Sequence, residues 1–202
     1  MPHDLPELPP EPQAPSPSGA GESAANAPRR ATLRFMGLHP LRWIALGAGS
    51  GLAPVAPGTF GTLAGWAAFV LIDPWLSARG WAALLLAGLV LGWWACTATA
   101  RAMRVSDPGA VVWDEILAIW LILWVLAPQP WWGQALAFGL FRFYDAAKPG
   151  PVGWADRLFK GRPGEPPGWS QGFGILFDDL VAAACTLGTW AAGALLWQRL
   201  HG

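Results

Sequence analysis

The stretch GILFDDLVAAACTLGTWAAGALLW (174–197) decides the fold. Its apolar residues run on for the length of a bilayer crossing, about 20 residues. Yet Asp178 and Asp179 stand side by side near its start. The segment VVWDEILAIWLILWVLA (111–127) repeats the pattern with Asp114 and Glu115. A carboxylate at membrane depth costs roughly 2.5–3.5 kcal/mol and marks a functional site by default. Two acidic doublets at the mouths of two apolar helices predict a site, and oxygen ligands favour a hard cation.

The rest of the chain fits that frame. It has 202 residues, 53% hydrophobic and 13% charged, a length that predicts one domain. Charge-free runs such as WAALLLAGLVLGWWACTATA (81–100) put that domain in the membrane class. The net charge is zero, which removes the electrostatic case for nucleic acid. Cys96 and Cys185 lie within apolar segments and read as packing residues. Residues 1–32, rich in Pro, Ala, Ser and Glu, cannot bury enough surface to order themselves. They predict a disordered tail ahead of a membrane-embedded domain over 33–202.

Within that domain the pattern predicts an interfacial or re-entrant helix over 41–53, too short to span, and then a Pro/Gly loop. Helices follow over 59–72, 81–104, 111–127, 131–147 and 175–199, with a tight turn at 128–130 and a polar loop over 148–174. The spacings Gly61/Gly65 and Gly88/Gly92 predict close helix packing. The expected fold is therefore all-α, a polytopic membrane helical bundle. Eleven of the 13 Lys and Arg residues fall in alternate connections, leaving Arg79 and Arg199 on the other side. The positive-inside rule puts the rich side in the cytoplasm, and Trp75, Trp81, Trp131, Trp132 and Trp197 at helix ends predict interfacial belts. This threading gathers Pro57–Gly58–Thr59, Asp107, Asp114, Glu115, Arg142, Asp145, Lys148, Asp156, Asp178 and Asp179 at one membrane face.

Carboxylates at one face predict Mg²⁺, which takes oxygen ligands and commonly shares them with substrate phosphate. The plain alternative is acids in first helical turns, stabilised by the helix dipole. Arg142 and Lys148, in FRFYDAAKPGP (141–151), predict a phosphate clamp: arginine binds phosphate bidentately and lysine acts as a point charge. The alternative for them is an interfacial ion pair with basic side chains snorkelling to headgroups. The 57–59 turn would add backbone N–H groups at a helix start. His3, His39 and His201 lie outside the acidic segments, so a Ser–His–acid triad or a His-ligated zinc is poorly supported. A Walker-type GK[ST] loop is absent. Metal-assisted phosphoryl chemistry remains.

Four blocks carry a resemblance: GSGLAPVAPGTFGTLAG (49–65), SDPGAVVWDEILAIW (106–120), FRFYDAAKPGPVGWADR (141–157) and QGFGILFDDLVAA (171–183). In order and spacing they resemble the signature blocks of the phosphatidylglycerophosphatase A family over residues 40–190. The segment 158–171 is longer than that pattern, and Gln171–Gly172 stands where it has a Gly–Gly pair. The resemblance implies a bacterial inner-membrane, multi-pass, Mg²⁺-dependent phosphatase with its site facing the cytoplasm. It would hydrolyse phosphatidylglycerophosphate to phosphatidylglycerol and phosphate in phospholipid biosynthesis. On this reading some of Asp114, Glu115, Asp178 and Asp179 hold Mg²⁺, Arg142 and Lys148 offset phosphoryl charge, Asp107 or Asp145 is the general base, and Pro57–Gly58–Thr59 contacts substrate. An aspartyl-phosphate route stays open, as does homo-oligomerisation. The competing reading is a small transporter or ion-pathway protein, which predicts acids spread through the membrane depth.

Overall fold

The computed structural model describes residues 28–161 and 166–201, and among them every regular element is helical. We number the α-helices α1 (Leu33–Gly37), α2 (Pro40–Ala45), α3 (Pro57–Ile72), α4 (Ala78–Met103), α5 (Trp113–Leu126), α6 (Trp131–Ala147), α7 (Pro151–Leu158) and α8 (Trp169–His201). A 3-10 segment, Gly47–Leu52, joins α2 to the loop before α3. Local chemistry sets several starts. The side chains of Thr32, His39 and Ser77 cap α1, α2 and α4 by accepting from backbone N–H groups. Pro57 and Pro151 open α3 and α7, where a missing N–H costs nothing.

α5 is the axis of the bundle. Its 14 residues span about 21 Å, and it packs against α3, α4, α6 and α8. Ile119 and Ile122 are fully buried there with Phe141 of α6. Both small-residue pairs serve close packing, as their spacing predicts. A Cβ on Gly65 would lie 3.0 Å from the Cα of Ile116, and one on Gly92 would lie 2.2 Å from the Trp113 indole nitrogen. Two helices are long and apolar enough to cross a membrane, Ala78–Met103 and Trp169–His201. α3, with 16 residues, and α5, with 14, fall short of the roughly 20 that a crossing takes.

The structure departs from the sequence reading in four places. The segment 41–53 is not one helix. Left-handed or otherwise non-helical backbone at Gly47, Ala48 and Gly49 (φ +54°, +52° and +103°) breaks it into α2 and the 3-10 piece. The polar loop over 148–174 contains α7, whose Val152 and Ala155 are buried three residues apart on one face. The last helix begins at Trp169 rather than 175, so its acids lie in its interior and not at its mouth. Trp81 is no interfacial residue: it is buried, stacks on Phe69 with ring centroids 4.8 Å apart, and donates to Asp73. Trp75, Trp131, Trp132 and Trp197 are exposed. Of the tail expected over 1–32, residues 1–27 lie outside the described residues, while the Arg29 N–H donates to the Met103 carbonyl at 2.9 Å.

Candidate active site

Asp114 and Glu115 occupy the first turn of α5, where acids are favoured by the helix dipole. The Val112 N–H just before them donates to the Ala45 carbonyl at 2.9 Å, which ties that helix start to the end of α2. Asp179 reaches the same place from the interior of α8. One ligand oxygen from each of Asp114, Glu115 and Asp179 lies within 4.8 Å of the other two. Asp114 Oδ1, Glu115 Oε2 and Asp179 Oδ2 are buried without a hydrogen-bond partner. Buried, unsatisfied carboxylate oxygens carry a heavy desolvation cost. The donor set is all oxygen and anionic, and its unpaired oxygens converge, so it fits a hard divalent cation such as Mg²⁺.

Arg142 borders this cluster from α6. Its Nη1 lies 3.9 Å from Glu115 Oε1, pairs with Asp145 one turn on, and reaches Thr62 Oγ1 at 3.4 Å. Asp145 in turn lies beside Asp179. One arginine thus faces four carboxylates, so the site stays acidic.

Gly58 closes the cluster from α3. A Cβ there would lie 2.3 Å from Glu115 Oε1 and 3.2 Å from Arg142 Nη2. The 57–59 turn is therefore in contact with the acids, but it is a poor anion cradle. Pro57 has no N–H, and the N–H of Thr59 donates to the Ala56 carbonyl at 2.9 Å. Only the N–H of Gly58 remains to this turn. Its main service is the absence of a side chain.

Asp178 faces elsewhere. Successive residues on a helix diverge by about 100°, and this carboxylate pairs with Lys148 rather than joining the other three. Lys148 caps α6 in the left-handed conformation (φ +46°), a turn that lets α7 fold back on α8. Its Nζ also lies 2.8 Å from Asp156 Oδ1, and Asp156 Oδ2 lies 2.5 Å from Lys160 Nζ. Burial by itself would pull the Lys148 ammonium down, but hydrogen bonds and charge from Asp156 and Asp178 outweigh it and hold the group above its usual value. Burial likewise pushes the Asp156 carboxyl up, and Lys148 and Lys160 together win, leaving it below the usual carboxylate range. Asp107 belongs to this second cluster. With Ser106, Asp156, Lys160 and Asp178 it lines a cavity of about 30 Å³.

The residues singled out in the sequence therefore form two groups. Asp114, Glu115, Asp179, Arg142, Asp145 and Gly58 meet in one, while Asp178, Lys148 and Asp107 meet in the other. Sequence reasoning missed two members. Thr62 is buried, donates to the Gly58 carbonyl at 2.8 Å and takes an Arg142 N–H; its only signal was a hydroxyl four residues after Gly58. Lys160 was legible as an i, i+4 partner of Asp156.

Comparison with known proteins finds one family model, with relatives named for two phosphatase activities, phosphatidylglycerophosphatase A and, in Bacteroides thetaiotaomicron (34% identical over 146 residues, 69% of this chain and 84% of that protein), a putative phosphatidylinositol-3-phosphatase. Residues 43–194 match the family model described as PgpA, phosphatidylglycerophosphatase A. A phosphatidylglycerophosphatase A of Escherichia coli (strain K12) is 36% identical over 152 residues, covering 74% of this chain and 81% of that protein. A phosphatidylglycerophosphatase A of Haemophilus influenzae is 35% identical over 146 residues, covering 72% and 83% respectively. No solved structure matches the chain.

Proposed function

Because the chain belongs to the phosphatidylglycerophosphatase A family and is a lipid phosphate phosphatase, we propose that it hydrolyses phosphatidylglycerophosphate to phosphatidylglycerol and phosphate in a Mg²⁺-dependent reaction. The observation that carries the magnesium reading is the trio Asp114, Glu115 and Asp179, with converging oxygens that no protein group satisfies. These three residues would hold the ion. When bound, Mg²⁺ supplies Lewis acidity toward a phosphoryl oxygen and acidifies water.

The chain's own residues supply the rest. Arg142 presents a planar guanidinium, fixed by Asp145 and Thr62, to a phosphate lying at the acids. That fixation pre-organises positive charge for the charge that develops in the reaction. Asp145 is the nearer candidate for the proton acceptor, since it adjoins both Arg142 and Asp179. Asp107 is less well situated, in the cluster around Asp178. Lys148 is held by two carboxylates and acts on the substrate headgroup only by exchanging one of them for phosphate.

The reading extends to a bacterial inner membrane, with the site on its cytoplasmic side. The two long apolar helices and the exposed Trp75, Trp131, Trp132 and Trp197 support a bilayer. Counted with the short helices α3, α5 and α6 as crossings alongside α4 and α8, the excess of Lys and Arg in alternate connections supports the orientation.

The test is phosphate release from phosphatidylglycerophosphate in detergent, first with Mg²⁺ and then with chelator. Release with Mg²⁺ that stops on chelation and returns on adding the ion back is expected. Release that persists in chelator would sink the metal reading, and no release under any metal condition would sink the substrate reading. Gly58→Ala should lower the rate by about 10- to 100-fold, the range for losing a group that orients metal ligands. A rate within about twofold of the wild type would remove the 57–59 turn from the site.

A further inference from the structure

α2 and the last turns of α4 enclose a cavity of about 230 Å³. His39, Leu41 and Arg42 form one wall, and Trp94, Ala98 and Thr99 form the other. It shares no lining residue with either charge cluster.

Its donors are fixed and largely unpaired. Arg42 Nη1 donates to the Phe35 carbonyl at 2.9 Å, and the guanidinium sits 4.0 Å over the Phe35 ring. That engages one of the five N–H groups of an arginine. Among the described residues no carboxylate pairs with Arg42. His39 Nδ1 accepts from the Leu41 N–H at 3.2 Å, so the neutral ring carries its proton on Nε2. Thr99 is fully buried, and its hydroxyl has no partner among the described residues. Thr97 shows the ordinary solution for a helical threonine, a bond from its hydroxyl to the Trp93 carbonyl at 2.7 Å. A phosphate oxygen accepts from guanidinium, imidazole and hydroxyl alike.

The chain does not supply the opposite charge itself. Residues 28–72 hold Arg29, Arg30, Arg34 and Arg42 and no Asp or Glu. The cavity is also graded along α4. Arg101 marks the charged end of that helix, and Trp94 lies about 10 Å nearer its middle. Trp94 is half exposed, and the small Ala98 one turn on leaves space beside it. An occupant would thus meet cationic donors at one end and hydrocarbon at the other. The volume is below the roughly 300–1,000 Å³ of pockets that enclose a drug-sized ligand. It suits a headgroup whose chains remain outside, and neither free phosphate nor an acidic peptide needs the apolar wall.

We propose that this cavity is a second lipid site, separate from the acidic cluster, that binds the headgroup phosphate of an anionic phospholipid. Arg42 and His39 hold the phosphate, and Trp94 flanks the first carbons of a chain. The choice of a lipid rests on the membrane placement given above. The test needs no turnover, so its failure is distinct from failure of the hydrolytic reading.

The experiment is thermal unfolding of the full chain in detergent with chelator. Dioctanoyl phosphatidylglycerol, dioctanoyl phosphatidylcholine and inorganic phosphate are titrated separately. Phosphatidylglycerol should raise Tm saturably, by ligand linkage, and the other two should leave it unmoved at the same concentrations. Arg42→Gln removes the charged donors, while Ala98→Leu fills the cavity and keeps every donor. Each should raise the half-saturating concentration of phosphatidylglycerol by roughly tenfold, as for losing a hydrogen bond to a charged group. Half-saturation unchanged in both variants overturns the proposal and moves the lipid to the acidic cluster or the bulk micelle. An equal rise with phosphatidylcholine overturns the anionic preference and the proposal with it. A rise with inorganic phosphate alone makes this a free-phosphate site and overturns the lipid assignment. If Arg42→Gln does not unfold cooperatively in lipid-free detergent, Ala98→Leu decides by the same shift.

Discussion

Asp179→Asn should cost about 10³-fold in turnover, roughly 4 kcal/mol of barrier, while making the metal-free protein more stable. The two effects have one origin. Asp179 shares a space of 4.8 Å with Asp114 and Glu115, and each of the three has an unsatisfied buried oxygen. Without a cation these charges repel; at an effective dielectric constant of about 20, two charges 4 Å apart interact by about 4 kcal/mol. Asparagine keeps the shape, removes one charge and weakens the hold on a divalent ion. Thermal unfolding in detergent reads the stability, with chelator and then with Mg²⁺. The wild type should gain Tm on adding Mg²⁺, by ligand linkage, and the variant should start higher in chelator and gain less. Full turnover in the variant, with an unchanged Mg²⁺ effect on Tm, would take Asp179 out of the site.

Arg142→Ala should fail on both counts. The side chain is mostly buried and is the one cation touching Glu115, Asp145 and Thr62 among the described residues. Removing one partner from a buried ionic network leaves the others uncompensated, typically at 3–5 kcal/mol. Turnover should fall about 10²–10³-fold, as for the loss of a fixed donor to developing charge. Arg142→Lys separates the two effects. It restores a charge but not the planar fork, so most of the stability should return and little of the activity. An Arg142→Ala protein that unfolds and turns over like the wild type would contradict both assignments.

Much of this was legible in the chain because charge in an apolar context is costly. Asp114, Glu115, Arg142, Asp145 and Asp179 stood out for that reason, and five of the expected helices are present. α6 spans the expected 131–147 because a Pro-rich turn and Lys148 bound it on either side. The errors arose where meaning lies in tertiary contact. The stretch 148–174 reads as a polar loop, which puts the start of the last helix at 175. Gly172 and Gly174 lie inside α8, where close packing leaves no room for a side chain: a Cβ on Gly172 would meet Thr97 Oγ1 at 1.8 Å and one on Gly174 would meet the Cβ of Phe159 at 2.5 Å. α7 hid among prolines and glycines, its buried face only Val152 and Ala155. The split of the 178–179 doublet followed from helix geometry in principle. What each acid meets depends on the left-handed turn at Lys148, which the sequence does not announce.

Those two glycine contacts have a mechanical consequence. Gly172 and Gly174 press α8 against α4 and the end of α7 a few residues before the doublet, and so they set the rotational phase of the helix. Asp178 and Asp179 then behave as two lobes of one cam, about 100° apart on a common shaft. Any twist of that shaft moves Asp178 off Lys148 and Asp179 off the α5 acids together. The two charge clusters share a single angular coordinate, and neither can be retuned without the other.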